Sequence, residues 1–372
     1  MLAAGRRIVG AALVLLSALG PARAEIVVGQ TSGFTGPVAA GAKENTEGAR
    51  LYLDAVNARG GINGQKIELV SLDDHFDPAT AAANARKLIT ERNVVALFLN
   101  RGTPHSEAIR PLLDEFQVPL VAPSTGAMVL HKPLHPWIFN VRATYQREAE
   151  KAVQHLATIG LTRIALVHVD DSFGADVATG AAAGFVHAKL QPVVKATFDR
   201  AKPSFDGIVQ QLVKAEAQAV LLIGAAASVA DGTKALRAAG SKAQVVTMSN
   251  NASAGFVKLM GDHAHGTIVT QVFPNERAIG VPLVKEAVDL ARAKGLPGVT
   301  PSMMEGFAAA KVLVEGLRRA GAKPTRALLQ AALNGMGKHD IGGMRLGFSA
   351  DDHTGLDYAD LSIIGPDGRF MR

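Results

Sequence analysis

The sequence predicts an α/β fold built as two units, each a mainly parallel sheet flanked by helices. Three observations carry this. Residues 94–126, VVALFLNRGTPHSEAIRPLLDEFQVPLVAPSTG, read as strand, polar turn, helix, strand, polar turn. Apolar runs alternate with amphipathic helical periods on both sides of residues 131–145, so one architecture recurs twice without an obvious sequence repeat. A length of 372 residues predicts two domains more readily than one.

Residues 94–99 form a short apolar run of the kind buried in a parallel sheet. Asn100-Arg101-Gly102-Thr103-Pro104 breaks it. Ile109, Leu112, Leu113 and Phe116 then recur at i, i+3, i+4 and i+7, one helix face against a sheet. Residues 118–122 are the next strand, ended by Pro123-Ser124-Thr125-Gly126. Both turns therefore sit at the carboxyl ends of adjacent parallel strands, where open α/β sheets bind ligands. Gly102-Thr103 and Ser124-Thr125 offer hydroxyls and free N–H groups near helix N-termini, which suit a carboxylate. Either turn by itself also reads as an ordinary capped βα turn.

In chain order, residues 25–29 open the first unit as a strand. The loop QTSGFTGP at 30–37 is glycine-rich, but Gly29, Gly33 and Gly36 miss the G-x-G-x-x-G spacing and no Lys-Ser/Thr follows. Ala49, Tyr52, Leu53 and Val56 mark a helix face that stops at Gly60-Gly61. Residues 66–71 are a strand. The turn at 72–78 holds Asp73, Asp74, His75 and Asp77. No further ligand stands at metal-site spacing, so capping and solvation are expected of these acids. A helix follows at 79–92. The second unit reads as strand 163–169, turn 170–174, helix 175–188, strand 192–196, helix 205–215 with Ile208 and Leu212 inward, and strand 219–223. A turn into a helix ending at Gly240 and strand 244–248 follow, then the turn Ser249-Asn250-Asn251. Residues 266–273 lead back to the first unit. Helices return at 284–294 and 306–320, and a late strand lies at 361–364.

Composition narrows the function. There is no Cys, which excludes disulfides, thiolate nucleophiles and thiolate metal sites. Arg6-Arg7, the apolar run 8–19 and Ala22-Arg23-Ala24 form a secretory signal, too short to span a bilayer comfortably, with the mature chain expected from Glu25. Removing Arg6, Arg7 and Arg23 leaves 36 Lys and Arg against 33 Asp and Glu, and the basic residues are scattered, so no nucleic-acid partner is expected. No later segment has an uninterrupted apolar run of transmembrane length, so a soluble, exported protein is expected. G-x-S-x-G and H-E-x-x-H are absent, and no enzyme, cofactor or metal is expected. His131, His135, His263 and His265 fall in turn-like segments read as exposed.

The chain resembles the periplasmic solute-binding proteins of branched-chain amino-acid-type ABC transporters. The resemblance lies in TSGFTGPVAAGAKENTEGARLYLDAVNARGGINGQKIELVSLDD, then NRGTP, VPLVAPSTG, FNVRATY, DDSFGADV, LRAAG and VTQVFP, in that order. It implies two Rossmann-like lobes joined by crossover segments that close on a solute, the type I periplasmic binding fold. The implied parts are a signal at 1–24, a first lobe of 25–142 plus 274–350, and a second lobe of 143–273 plus 351–372. It also implies a monomer in the periplasm that hands its solute to an ABC permease; a ligand-sensing receptor of a signalling system uses the same fold.

By that resemblance Gly102, Thr103, Ser124, Thr125 and Gly126 hold a ligand carboxylate. Phe173 covers the solute or is a plain core residue; Tyr145 and Gln271, at two crossovers, line the cleft or pack the hinge. Ser249 is a departure. Amino-acid binders of the family place an acid in this turn to pair with the ligand ammonium, and here the turn is neutral. Aromatic contacts of the family fall on Gly41 and Ala225, so two pocket walls are expected to be smaller. Asp170 and Asp171 read as solvated turn residues. A buried ammonium without a counter-charge is costly, so the expected solute is a carboxylate without one, such as an aromatic or other organic acid.

Overall fold

The computed structural model describes residues 25–372; the secretory signal lies outside the described residues. The first lobe is β1 (Ile26–Ser32), α1 (Ala39–Ala58), β2 (Ile67–Asp73), α2 (Pro78–Thr90), β3 (Ala96–Phe98), α3 (Thr103–Phe116), β4 (Leu120–Val121) and β5 (Ile138–Phe139). The second runs through α4 (Tyr145–Thr158), β6 (Ile164–Val169), α5 (Ser172–Ala188), β7 (Lys195–Phe198), α6 (Asp206–Lys214), β8 (Ala219–Ile223), α7 (Ala226–Ala238), β9 (Gln244–Thr247), α8 (Ala254–Met260) and β10 (Ile268–Gln271). Then come α9 (Pro282–Ala293), α10 (Pro301–Arg319), α11 (Arg326–Asn334), the β11 (His339–Asp340) and β12 (Arg345–Leu346) hairpin, β13 (Asp360–Ile364) and β14 (Phe370–Met371).

The first sheet has the order β2-β1-β3-β4-β5 and is parallel throughout. The second has the order β14-β13-β10-β9-β8-β6-β7, parallel except where β13 and β14 join its far edge. Strand order therefore reverses beside β1 in one sheet and beside β6 in the other, and each reversal opens a crevice at the strand carboxyl ends.

Alternation along the short strands divides the first lobe's core in two. Ala96 and Phe98 of β3 face the cluster that holds α1 and α10, while Leu97 faces the cluster of α2 and α3. Residues of α9, α10, α11 and the hairpin join the first of these clusters. The second lobe has its own core around β6, β8 and β9.

The elements differ from expectation in instructive places. β1 runs on through Gln30–Ser32 because β2 pairs with it to Asp73. β7 lies three residues later than the apolar residues suggest, because it is a half-exposed edge strand. Asp77 caps α2 by accepting from Thr80 N–H, but Asp74 is wholly buried rather than solvated. Asp73 instead ties loops together, accepting from the N–H groups of Phe34 and His75. His131 and His135 are buried as well, since residues 128–139 fold against the 353–354 segment instead of forming an open turn. His131 Nδ1 lies 3.0 Å from Thr354 Oγ1.

Candidate functional site

The candidate site is the cleft between the two sets of strand ends. On the first lobe, Leu99 and Ala122 close β3 and β4 with φ of 57° and 52°, a left-handed conformation uncommon outside glycine. They turn both chains out of the sheet side by side, so Ser124 N–H bonds to the Asn100 carbonyl at 2.8 Å. Gly102, at φ 101°, then starts α3 without a side-chain cap, which leaves the helix's first N–H groups available. Thr103 and Thr125 share a hydroxyl hydrogen bond of 2.7 Å. Asn45 of α1 donates to Ser124 Oγ at 3.2 Å.

On the second lobe, Phe173 stands in the first turn of α5, which Asp171 caps by accepting from Gly174 N–H. A Cβ at Gly174 would stand 1.8 Å from the Val169 carbonyl oxygen; only glycine lets the helix start this close to β6. Phe173 meets the Tyr145 ring edge-on at 4.8 Å. Asp171 also pairs with Arg200, whose guanidinium lies 4.9 Å over Phe76 of the opposite lobe. Phe76 in turn stacks on His105 at 4.4 Å.

Among the expected residues, Gly102, Thr103, Ser124, Tyr145 and Phe173 line one cavity. Thr125 stands behind Thr103. Gly126 supports the crossover: its carbonyl accepts from Tyr145 N–H, and a Cβ there would meet the Ala143 carbonyl oxygen at 2.5 Å. Ser249 and Gln271 are buried but do not line the cavity. Ser249 Oγ accepts from Arg142 Nη2 at 2.6 Å, and its N–H donates to Glu148 at 3.1 Å. The solvated reading of Asp171 is corrected: its carboxylate is committed to Arg200 and to the α5 cap.

Five lining residues were not among the expected site residues: Val38, Phe76, Arg101, Arg200 and Asn250. Arg101 is in the quoted NRGTP turn, where a lone cation at a strand's carboxyl end was the available signal. Phe76 meets Arg200, and Asn250 meets Arg101, only because the lobes face each other. Arg101 is buried and donates from Nη2 to the Asn250 carbonyl across the cleft at 2.5 Å. Burial pushes its guanidinium below the ordinary arginine value. Arg142, also buried, pairs with Glu148 and stands 3.6 Å from Glu305. Burial works against its charge, but Tyr145, Glu305 and Glu148 hold it above the ordinary value.

The arrangement can bind but offers little chemistry: hydroxyls, helix N–H groups, guanidiniums and aromatic walls. Paired two-sheet lobes with a cleft at both sets of strand ends find their counterpart in known proteins. Residues 25–361 match the family model "Periplasmic binding protein". The chain belongs to the periplasmic binding protein family. It is 26% identical over 317 residues to the Leu/Ile/Val-binding protein homolog 3 of Brucella melitensis, covering 84% of each chain. It is 24% identical over 299 residues to the Leu/Ile/Val-binding protein of Escherichia coli K12, covering 79% of this chain and 80% of that one.

Solved structures agree. A substrate-binding periplasmic protein from Ralstonia solanacearum superposes with a TM-score of 0.85 at 33% identity, over 93% of this chain and 99% of that one. A possible leucine/isoleucine/valine-binding protein from Rhodopirellula baltica gives 0.88 at 24%, over 95% and 98%, which shows the shared fold. Among the described residues, this periplasmic binding protein has no helix long and apolar enough to cross a membrane.

Proposed function

We propose that this periplasmic binding protein captures a small carboxylate-bearing solute, an aromatic or other organic acid rather than a plain α-amino acid, and delivers it to an ABC permease. The observation that carries the reading is the lining of the cleft, which includes two arginines and, among the described residues, no Asp or Glu. Thr103, Ser124 and the free N–H groups of α3 add neutral donors. Tyr145, Phe173 and Phe76 supply apolar faces for the rest of the solute. The nearby acids Glu148 and Glu305 both serve Arg142, so an ammonium entering here meets cations and neutral acceptors. Family membership supports the role in transport.

The test is calorimetric titration with 4-methyl-2-oxopentanoate against leucine, phenylpyruvate against phenylalanine, and benzoate. At least one keto acid is expected to bind about tenfold tighter than the amino acid of its shape, since roughly 1.4 kcal/mol is enough for that. Submicromolar binding of leucine or phenylalanine, with the matching keto acid weaker, overturns the reading.

A further inference from the structure

We propose that Arg101 fixes the charge class of the solute by pairing its guanidinium directly with the carboxylate, and that the missing side chain at Gly41 makes room for it. This rests on the carboxylate reading above and adds the residue that enforces it. Buried guanidiniums are ordinarily paired, because desolvating the charge is costly. Arg142 has Glu148 and Glu305, and Arg200 has Asp171. Arg101, only 5% exposed, has no ion pair among the described residues. Its one hydrogen bond goes to a neutral carbonyl, that of Asn250, on the other lobe.

A guanidinium carries five N–H donors in a planar fork that matches a carboxylate with two parallel bonds. Its position suits that use. Arg101 precedes Gly102 and the uncapped start of α3, and it bridges to Ser124 in the neighbouring turn. A carboxylate seated on Arg101 therefore also reaches neutral donors on its own lobe. The Asn250 carbonyl occupies the acceptor's place meanwhile.

Gly41 is the second half of the device. A Cβ at Gly41 would stand 3.1 Å from Arg101 Nη2 and 3.5 Å from Cζ. A Cβ alone would make the guanidinium give by a few tenths of an ångström, and a branched side chain there would compete with it for the space. Glycine at 41 and arginine at 101 thus belong together: the lack of a side chain at this point of α1 leaves the volume that the cation fills. A neutral ester or amide of the same shape gains nothing from the ion pair, and an ammonium is repelled by it.

The experiment titrates 4-methyl-2-oxopentanoate, its methyl ester, phenylpyruvate and benzoate into the wild-type protein and into Arg101→Gln, Arg101→Lys and Gly41→Val. Arg101→Gln is expected to weaken every acid that binds by at least about thirtyfold, the scale of losing one partner of a buried charge pair. Arg101→Lys should lose less, since it keeps the charge without the fork. Gly41→Val should weaken the acids by about tenfold while leaving Arg101 in the chain. The ester should bind wild type and Arg101→Gln alike.

Ligand-free melting curves check folding. Arg101→Gln removes a buried unpaired charge and should melt no lower than wild type. If it fails to fold, Gly41→Val decides: acids bound with unchanged affinity overturn the proposal. An acid bound equally by wild type and Arg101→Gln, or an ester bound as tightly as its acid, overturns the role of Arg101 and leaves the carboxylate reading standing. No binding of any of the three acids to wild type overturns both.

Discussion

Asp74, His105 and His131 share one environment, an interior that disfavours charge, and respond to it with opposite signs. Burial pushes the Asp74 carboxyl up to about 6, offset in part by the N–H of Phe76 and the Thr31 hydroxyl. Burial pushes the His105 and His131 imidazoles down to about 4. Between about 6.5 and 4 the unfolded histidines take protons that the folded ones refuse, so their stability is complete above about 6.5 and is lost as pH falls. Asp74 works the other way: the folded carboxyl holds its proton up to about 6, so its contribution falls as pH rises from near 4. Each shift corresponds to roughly 3 kcal/mol, and two histidines outweigh one aspartate. Urea unfolding should therefore show lower stability at pH 4.5 than at pH 7.5. Asp74→Asn keeps an acceptor for Phe76 and removes the buried charge, so it should stabilise by about 1–3 kcal/mol at pH 7.5 and by less at pH 4.5. A variant less stable than wild type at pH 7.5 would show that the carboxylate itself is needed.

The helices carry their own constraint, set by two glycines. A Cβ at Gly48 of α1 would lie 1.9 Å from the Met303 carbonyl oxygen of α10, and one at Gly306 of α10 would lie 1.8 Å from that of Asn45. The two helices thus touch backbone to backbone. Helix propensity favours alanine over glycine by about 1 kcal/mol, but here the added methyl forces the helices apart, and overpacking costs roughly 1–3 kcal/mol or more. Gly48→Ala should lower the melting temperature. Because α1 also carries Asn45 and Gly41, it should weaken acid binding too. A Gly48→Ala protein that melts as high as wild type would mean that the pair separates freely. Other elements show how far local pattern reaches. β3 and β4 were legible as apolar runs between polar turns, and α3 by its period. α8 and α11 are short and left no run long enough to read, and β7 hides its position because an edge strand buries little.

At the scale of the whole molecule the cleft is shut. Arg101 reaches the Asn250 carbonyl, Glu107 accepts from the Ser172 hydroxyl at 2.5 Å, and Glu44 accepts from the N–H groups of Ala254 and Gly255 at 3.1 and 2.9 Å. The cavity left between the lobes is about 30 Å³, room for no more than a few water molecules. A solute of several heavy atoms must enter through an opened form. The chain crosses between the two lobes' cores in three places: after β5, after β10 and before β13. The first and third are bonded together, through Asn140 N–H to the His353 carbonyl at 2.9 Å and Leu356 N–H to that of Val141 at 2.9 Å. Rotation about such short paired segments leaves both cores intact. Small-angle scattering should give a smaller radius of gyration with a saturating acid than without it. The same radius at saturation, for an acid whose binding calorimetry has established, would count against a closing hinge.

What the sequence determined by itself is what short-range chemistry can encode. Apolar runs, helical periods and glycine stops marked the two α/β units. The hydroxyls of Thr103 and Ser124 could be placed at strand ends because strand, turn and helix follow one another directly. The neutral Ser249-Asn250-Asn251 turn was also visible. Tertiary structure decided which charges face the cleft. Ser249 gave up the cleft for the buried Arg142 and Glu148, and Asp171 was taken by Arg200. Arg101 entered the cleft through space left by Gly41, 60 positions away in the chain. A charge's role depends on which partner lies within a few ångströms after burial has removed water, and sequence separation carries no record of that distance.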